Sequence, residues 1–335
     1  MGKHNYWMYA VKVNLEQIAV YFVKGKRMNK KMSTTVVMTT YNGERFVEEQ
    51  LQSIIDQSRK PDEIVIMDDG SSDGTVAIVK KLITDSDINC KLYVNKKNIG
   101  WRANFINGFH HATGDIVFCT DQDDIWCKDK IEAMANVLEN EPQVNVLACN
   151  LVPLYEKSAS KIADFYVNNY GQRSLVKVSI FDRGLTMLRP GCTLCFRKKL
   201  LNLIDLIWEE HLAHDEVIWA IGLVTESLFI LNKPLMYFRR HSSNNSPSNE
   251  KTIQRRLELA EYGHRKLTNL LQTADVLKIN QTILKYLNNQ NEFTKERMLA
   301  FKKRSVISSL HLFKSYKQHG SIRLWLADLL SIIRG

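Results

Sequence analysis

From Thr34 to Cys119 the chain alternates between two hydrophobic periods, and no other feature constrains its fold as tightly. Thr34–Thr39 is a short β-branched run with the pattern of a buried strand. Tyr41-Asn42-Gly43 is a turn, after which Glu44–Gln57 repeats Phe46, Val47, Leu51, Ile54 and Ile55 at helical spacing. Glu63–Met67 predicts a second strand. It runs into the turn-rich Asp68-Asp69-Gly70-Ser71-Ser72-Asp73-Gly74-Thr75, and a helix follows over Val76–Ile83. Lys91–Val94 and Asp115–Cys119 predict a third and a fourth strand, separated by a helix through Trp101, Phe105, Ile106 and Phe109. Strands and helices in this order imply a mostly parallel sheet covered on both faces. Ligands of such sheets bind outside the carboxyl ends of the strands. The polar clusters Thr39–Asn42, Asp68–Ser71 and Asp121–Asp124 each lie at such an end. They are therefore expected to converge on a rigid scaffold although up to about 80 residues separate them.

The third cluster holds three carboxylates in four positions: Asp121, Asp123 and Asp124. Like charges this close raise each other's pKa unless a cation sits between them. A hard divalent ion with oxygen ligands is the usual reason for such a knot at a strand end. An acidic surface turn or a helix N-cap uses the same residues. For Asp124 the expected role is a cap for a helix starting near Lys128, with a place behind the metal ligands as the alternative.

Composition narrows the function classes. The 335 residues are 44% hydrophobic and 24% charged, as in soluble globular proteins, and are enough for one large domain or two ordinary ones. No run approaches the ~18 apolar residues of a membrane span. Residues 1–31 do not read as a secretory signal, because Lys12, Asn14, Glu16 and Gln17 interrupt the apolar patches. They read as a basic extension, either loose or lying on a surface. Of six cysteines only Cys192 and Cys195 show C-x-x-C spacing, so a zinc site is not supported. Reduced core cysteines of a cytoplasmic protein are expected. The net charge of +10 is uneven: residues 1–31 carry +6, residues 250–335 carry +9, and the middle about −5. Basic flanks around a slightly acidic body argue against a nucleic-acid reader. They fit ends that face an anionic surface such as the inner membrane leaflet or a lipid-linked pyrophosphate. The chain thus divides into a basic extension (1–31), a central body (32–249) and a basic helical region (250–335).

Three blocks in order carry a resemblance: T-T-Y-N-G-E-R-F-V-E-E-Q-L-Q-S-I-I-D-Q-S, I-V-I-M-D-D-G-S-S-D-G-T and D-Q-D-D-I-W. Together they resemble family 2 glycosyltransferases with the GT-A fold, a Rossmann-like mixed α/β sheet flanked by helices. The D-Q-D-D-x-W form resembles the rhamnosyltransferase-like branch. The resemblance covers roughly residues 33–245, leaving the C-terminal helical extension outside it. A G-x-G-x-x-G after the first strand and a G-x-x-x-x-G-K-[ST] are both missing from the sequence, which weakens dinucleotide and P-loop readings.

The resemblance implies roles. Thr39 and Tyr41 would hold the nucleotide base, Tyr41 by stacking, and Asp69 would accept from the base imide N–H. Asp68 would brace its loop. Glu44 would either touch the nucleotide or favour the helix N-terminus. Asp121 would face the ribose or the metal, and Asp123 would be the ligand to Mg²⁺ or Mn²⁺. Arg189-Pro190-Gly191-Cys192-Thr193 resembles the family's G-C-T strand beside the acceptor pocket, with Cys192 a packed residue. Tyr155, Phe165, Tyr166 and Tyr170 lie in the stretch expected to shape the acceptor side. In His214-Asp215-Glu216 the resemblance makes Asp215 the general base, and helix geometry lets only one of the two acids face the site. Arg239-Arg240-His241 resembles the R-x-H loop that grips the diphosphate. Spacing favours Arg239 and His241.

The function implied is an inverting, metal-dependent transfer of one sugar to a growing cell-surface polysaccharide, with dTDP-L-rhamnose the first donor and UDP-hexoses the alternative. A lipid-linked acceptor and a peripheral membrane contact are the expected partners, at the inner face of the membrane, and nucleic acid is not expected. Ile322–Arg334 is amphipathic and would lie on a membrane or pack as core. The rival readings are a sugar-nucleotide pyrophosphorylase, which needs a Gly-rich basic phosphate loop after the first strand, and a non-catalytic polyanion or membrane binder.

Overall fold

β1 (Thr34–Thr40), β2 (Glu63–Asp68), β3 (Asn89–Val94) and β4 (Ile116–Thr120) pair in parallel in the order β3-β2-β1-β4. Helices α1 (Val47–Ile55), α2 (Thr75–Thr84) and α3 (Trp101–His111) cross between them. The computed structural model describes residues 31–157, 159, 161–241, 252–319 and 322–334. The expectation for residues 1–30 and most of the loop after His241 therefore falls outside the described residues. β1 and β2 are buried along their whole length because helices cover both faces. Alternation along each strand divides the core. Val37, Val65, Val117 and Cys119 join Phe105 and Phe109 of α3 on one face. Val36, Met38, Ile64, Ile66 and Phe118 are buried on the other.

After β4 come β5 (Ile125–Trp126), α4 (Lys130–Asn140), β6 (Val146–Tyr155), β7 (Leu175–Lys177), β8 (Leu194–Arg197), α5 (Leu201–Ile207), α6 (His214–Val224) and β9 (Leu228–Arg240). The nine-stranded sheet runs β3-β2-β1-β4-β8-β6-β9-β5, with β7 also on β9. β8 is antiparallel to β4 and β6, and β5 and β7 are antiparallel to β9, so the mostly parallel sheet expected from the pattern is mixed in its second half. The sequence pattern of Ser227–Leu231 and Pro234–Phe238 reads as two short strands, but both belong to one strand, β9. Its register against β6 jumps from Leu231 opposite Cys149 to Pro234 opposite Asn150, which leaves Asn232 and Lys233 out of the pairing. Gly191–Thr193, expected in a strand, is a 3₁₀ turn leading into β8.

This topology gathers five loops at one rim. β1, β2 and β4 end there because they are parallel. β8 runs against β4, with Phe118 opposite Cys195, so the turn before β8 sits beside the end of β4. β5 runs against the last residues of β9, with Ile125 opposite Tyr237, so the acidic loop before it lies next to Arg239–His241.

Helices α7 (Ile253–Gln272) and α8 (Gln281–Lys302) pack on each other. Thr252 caps α7 by accepting from the Arg255 N–H, and Asn280 caps α8 by accepting from the Ile283 N–H. They contribute Leu267, Leu270, Ile283 and Leu287 to the core that holds Phe109 and Trp219. Helices α9 (Val306–His311), α10 (Phe313–His319) and α11 (Ile322–Arg334) build a smaller core around Phe301, Leu312, Tyr316 and Ile332. Residues Ser33–Gly335 cluster as one compact unit. Among the described residues no helix is long and apolar enough to cross a membrane.

Candidate active site

The loops at the rim are fixed by side chains bonding to backbone. Asp68 accepts from Thr40 Oγ1 (2.8 Å), Ser71 N–H (2.8 Å) and Ser71 Oγ (2.6 Å), and so braces the turn after β2. Gln122 clamps Tyr41: its Oε1 accepts from the Tyr41 N–H at 2.8 Å and its Nε2 donates to the Tyr41 carbonyl at 3.0 Å. A Cβ on Gly43 would stand 2.2 Å from Gln122 Oε1, so the clamp requires glycine there. The next N–H groups are also taken, Asn42 by Ser71 Oγ, Gly43 by Thr75 Oγ1 and Glu44 by Asp73 Oδ2. Four consecutive amides bonded to side chains cannot form an anion-binding nest.

A cavity of about 720 Å³ opens at this rim, and Thr39, Tyr41, Asp69, Asp121, Asp123, Asp215 and His241 all line it. The buried Asp69 is held by the start of α3. Its Oδ1 accepts from Asn95 Nδ2 and the Ile99 N–H, both at 2.9 Å, and its Oδ2 from the Gly100 N–H at 2.8 Å. Oδ2 thus has capacity for one more donor.

The acidic loop is strained electrostatically. Burial, then the charges of Asp123 and Asp124, push the Asp121 carboxyl well above the usual range. Burial and then Asp123 push Asp124 up to about 7. Asp124 Oδ1 accepts from the Arg239 N–H at 3.1 Å, while its buried Oδ2 has no hydrogen-bond partner. Asp124 does not cap a helix: α4 starts at Lys130, and Asp124 bonds β9 instead. The donor atoms of Asp121, Asp124 and Cys192 lie within 4.8 Å of one another. Two crowded carboxylates, one with an orphaned oxygen, fit a hard divalent cation. Burial and then Asp124 push the Cys192 thiol well above its ordinary pKa, and its soft sulfur suits a hard divalent cation less well than the two carboxylates do. Asp123, the ligand singled out from the sequence, is turned instead to His241, whose Nε2 lies 2.8 Å from its Oδ2. Beneath the loop lies the buried Lys130. Its Nζ donates to the Cys192 carbonyl at 2.8 Å, sits 3.9 Å from the Trp126 ring centre and draws the pKa of both Asp121 and Asp124 down.

Across the cavity, Asp215 sits in the first turn of α6. Burial, then the charge of Glu216, raises its carboxyl to about 6, near the range of a base working at neutral pH. Gly191 makes room for it, since a Cβ there would meet Asp215 Oδ2 at 2.7 Å. Glu216 points the other way, to Tyr262 Oη at 3.0 Å and to Lys266 of α7. The buried His214 stacks on Phe105 at 3.8 Å and meets Trp101 and Phe109 edge-on. Burial, then Arg102, lowers its pKa to about 3, so the imidazole is neutral. It lines the cavity with both ring nitrogens unpartnered. Of the expected acceptor-side aromatics, Tyr166 stands close enough for the charges of Asp215 and Glu216 to add to burial in raising its phenol.

Two residues expected at the site lie elsewhere. Glu44 precedes the helix, which begins at Val47, and its Oε2 accepts from the Gly74 N–H at 2.7 Å; it ties two loops together and does not line the cavity. Arg239 faces α1, pairing with Glu49 and donating Nε to the Asp123 carbonyl at 2.9 Å. Neighbours in a strand point to opposite faces, so Arg240 lines the cavity in its place. Sequence reasoning also missed Gln122, Trp101 and Asn104, which line the cavity, and Lys130 beneath it. For Asn104 the cue was a polar residue on the face of α3 that buries Phe105. Lys130 offered none, since a lysine at a helix start reads as a surface residue.

A model described as glycosyl transferase family 2 matches residues 35–211. The chain is 31% identical over 225 residues to the dTDP-rhamnosyl transferase RfbG of Shigella flexneri, covering 63% of this chain and 74% of that one. It is 33% identical over 125 residues to the putative glycosyltransferase EpsE of Bacillus subtilis (strain 168), covering 37% of this chain and less than half, 45%, of that one. In fold it is similar to S. aureus TarS 1–349 in complex with UDP-GlcNAc, with a TM-score of 0.61 at 18% identity, covering 90% of this chain and 82% of that one.

Proposed function

Because the chain belongs to glycosyl transferase family 2, we propose that it moves one sugar from a nucleoside-diphosphate donor to a growing, lipid-linked cell-surface saccharide, inverting the anomeric centre. The observation that carries this reading is the single cavity lined by Asp69, Asp123 and Asp215. Tyr41 offers its ring to the base, and Asp69 Oδ2 accepts from the base imide. The acceptor hydroxyl gives its proton to Asp215 as its oxygen attacks the anomeric carbon. The bond from that carbon to the diphosphate oxygen breaks on the opposite side, and the nucleoside diphosphate leaves. The displacement is direct and uses no protein nucleophile. Arg240 and His241, which line the same cavity, would meet the charge that develops on the diphosphate. Asp121, Asp124 and, on release from His241, Asp123 would hold a Mg²⁺ or Mn²⁺ ion, which supplies Lewis-acid neutralisation of the leaving group.

Similarity to RfbG and the D-Q-D-D-I-W and His214-Asp215 motifs support dTDP-L-rhamnose as the first donor to test, with UDP-hexoses next. The basic helical region favours work at the inner face of the membrane. The pyrophosphorylase alternative is disfavoured because the amides of Tyr41–Glu44 already bond side chains.

The test is a nucleotide-sugar panel read by thermal shift with and without Mn²⁺, followed by transfer assays on Asp215→Asn. The donor should raise the midpoint of both proteins. Transfer by the variant should fall by about 10²–10⁴-fold. Wild-type rates in Asp215→Asn would reject the base, and a panel with no binder would reject the donor class.

A further inference from the structure

Helix α11 carries its polarity the wrong way round for a helix that faces water. Its single acid, Asp328, is fully buried and caged by Arg256 Nη1 at 2.6 Å, Arg297 Nη2 at 2.8 Å and the Tyr316 hydroxyl. That cage sets the rotation of the helix, with Ser331 and Ile332 also inward. The opposite stripe is Ile322, Leu326, Leu330 and Ile333, which are 48%, 47%, 45% and 60% exposed. An amphipathic surface helix normally shows its polar face to solvent.

The neighbouring α9 extends the pattern. Ile307 and Leu310 are 68% and 49% exposed. Trp325 of α11 donates Nε1 to the Ser309 carbonyl of α9 at 2.9 Å, which joins the two helices, and packs against the Phe313 ring of α10 at 4.7 Å. The charge around this apolar face has one sign. Residues 302–334 contain seven Lys or Arg, and their only acid is the caged Asp328. Lys303, Lys314, Arg323 and Arg334 are exposed.

We propose that the outward faces of α9 and α11 dock on an anionic lipid surface, with the leucines and isoleucines entering the interface and the cations meeting headgroups. Charge complementarity selects this occupant. A polyanion without an apolar phase would engage the cations and leave the stripe in water. A second copy would set two cationic rims against each other. Since no described helix can span a bilayer, the contact lies along the surface. Lipid docking complements the proposed lipid-linked acceptor, yet it is measured without any nucleotide sugar, so either reading can fail alone.

The experiment is flotation of the full chain with vesicles of phosphatidylcholine alone and of phosphatidylcholine with phosphatidylglycerol. Wild type should float with the anionic vesicles only. Leu326→Glu/Leu330→Glu and Arg323→Glu/Arg334→Glu should each weaken binding roughly tenfold or more while keeping the thermal midpoint, because all four side chains are exposed or rim the surface. The proposal is overturned if wild type binds neither vesicle, or if the leucine variant binds like wild type. It is also overturned if light scattering finds a dimer that the leucine variant dissociates, which would make a second copy the occupant, or if duplex DNA competes fully for the face.

Discussion

Asp215 is costly to the empty fold because it is a carboxylate kept partly out of water. Its pKa rises from 3.8 to about 6, chiefly through burial. The folded state therefore binds the proton more tightly than the unfolded chain. That contribution is fully present below the unfolded value and is lost as pH rises through about 6. Above this point Asp215→Asn should be more stable than wild type by about 1–3 kcal/mol, and the difference should vanish as the pH falls below about 4. Thermal melts across that range check the sign. Transfer by wild type should decline over the same window from the other direction, as protonation removes the base. Gly191→Ala gives a steric counterpart, since its Cβ would press on Asp215 Oδ2 from 2.7 Å. A fall in kcat of about 10²-fold with donor KM unchanged is expected from steady-state kinetics. In the sequence Asp215 is a candidate through the family resemblance, and helix geometry limits the choice to one of two neighbouring acids. Which acid is free depends on Tyr262 and Lys266, 46 and 50 residues away, which occupy Glu216.

At the scale of elements, α6, which carries Asp215, is not supported by the sheet alone. Glu216 bonds α7, and Leu267, Leu270, Ile283 and Leu287 of α7 and α8 complete the core around Trp219. Leu270 is fully buried, so Leu270→Ala should cost about 2–5 kcal/mol in chemical denaturation, an effect that a loosely appended helix would not give. For the same reason a chain cut near residue 250 should expose apolar surface and lose the ordered fold. Four strands and three crossover helices were legible because periods of two and 3.6 residues are local. The continuity of β9 through Asn232 and Lys233 was not, because it rests on pairing with β6 across a bulge.

The whole molecule gathers acids at one rim and cations at the C-terminal helices. Neutralising the rim should stabilise it: Mn²⁺ or Mg²⁺ should raise the thermal midpoint, EDTA should reverse the rise, and Asp124→Asn should shrink it. Equal midpoints with and without the ion would remove the cation from the site. The described residues thus separate an acid-lined cavity at the rim from an apolar, cationic surface on the C-terminal helices.

The sequence by itself determined the α/β alternation, the three polar loops and their convergence, because parallel strands joined by crossovers must deliver their carboxyl ends to one rim. Only the tertiary structure decided that Arg240 and not Arg239 turns inward, that Asp123 meets His241 118 residues away, that Lys130 lies under the acids and that α11 faces its leucines outward. Each depends on strand register or on buried polar contacts between distant segments, and neither leaves a periodic trace along the chain.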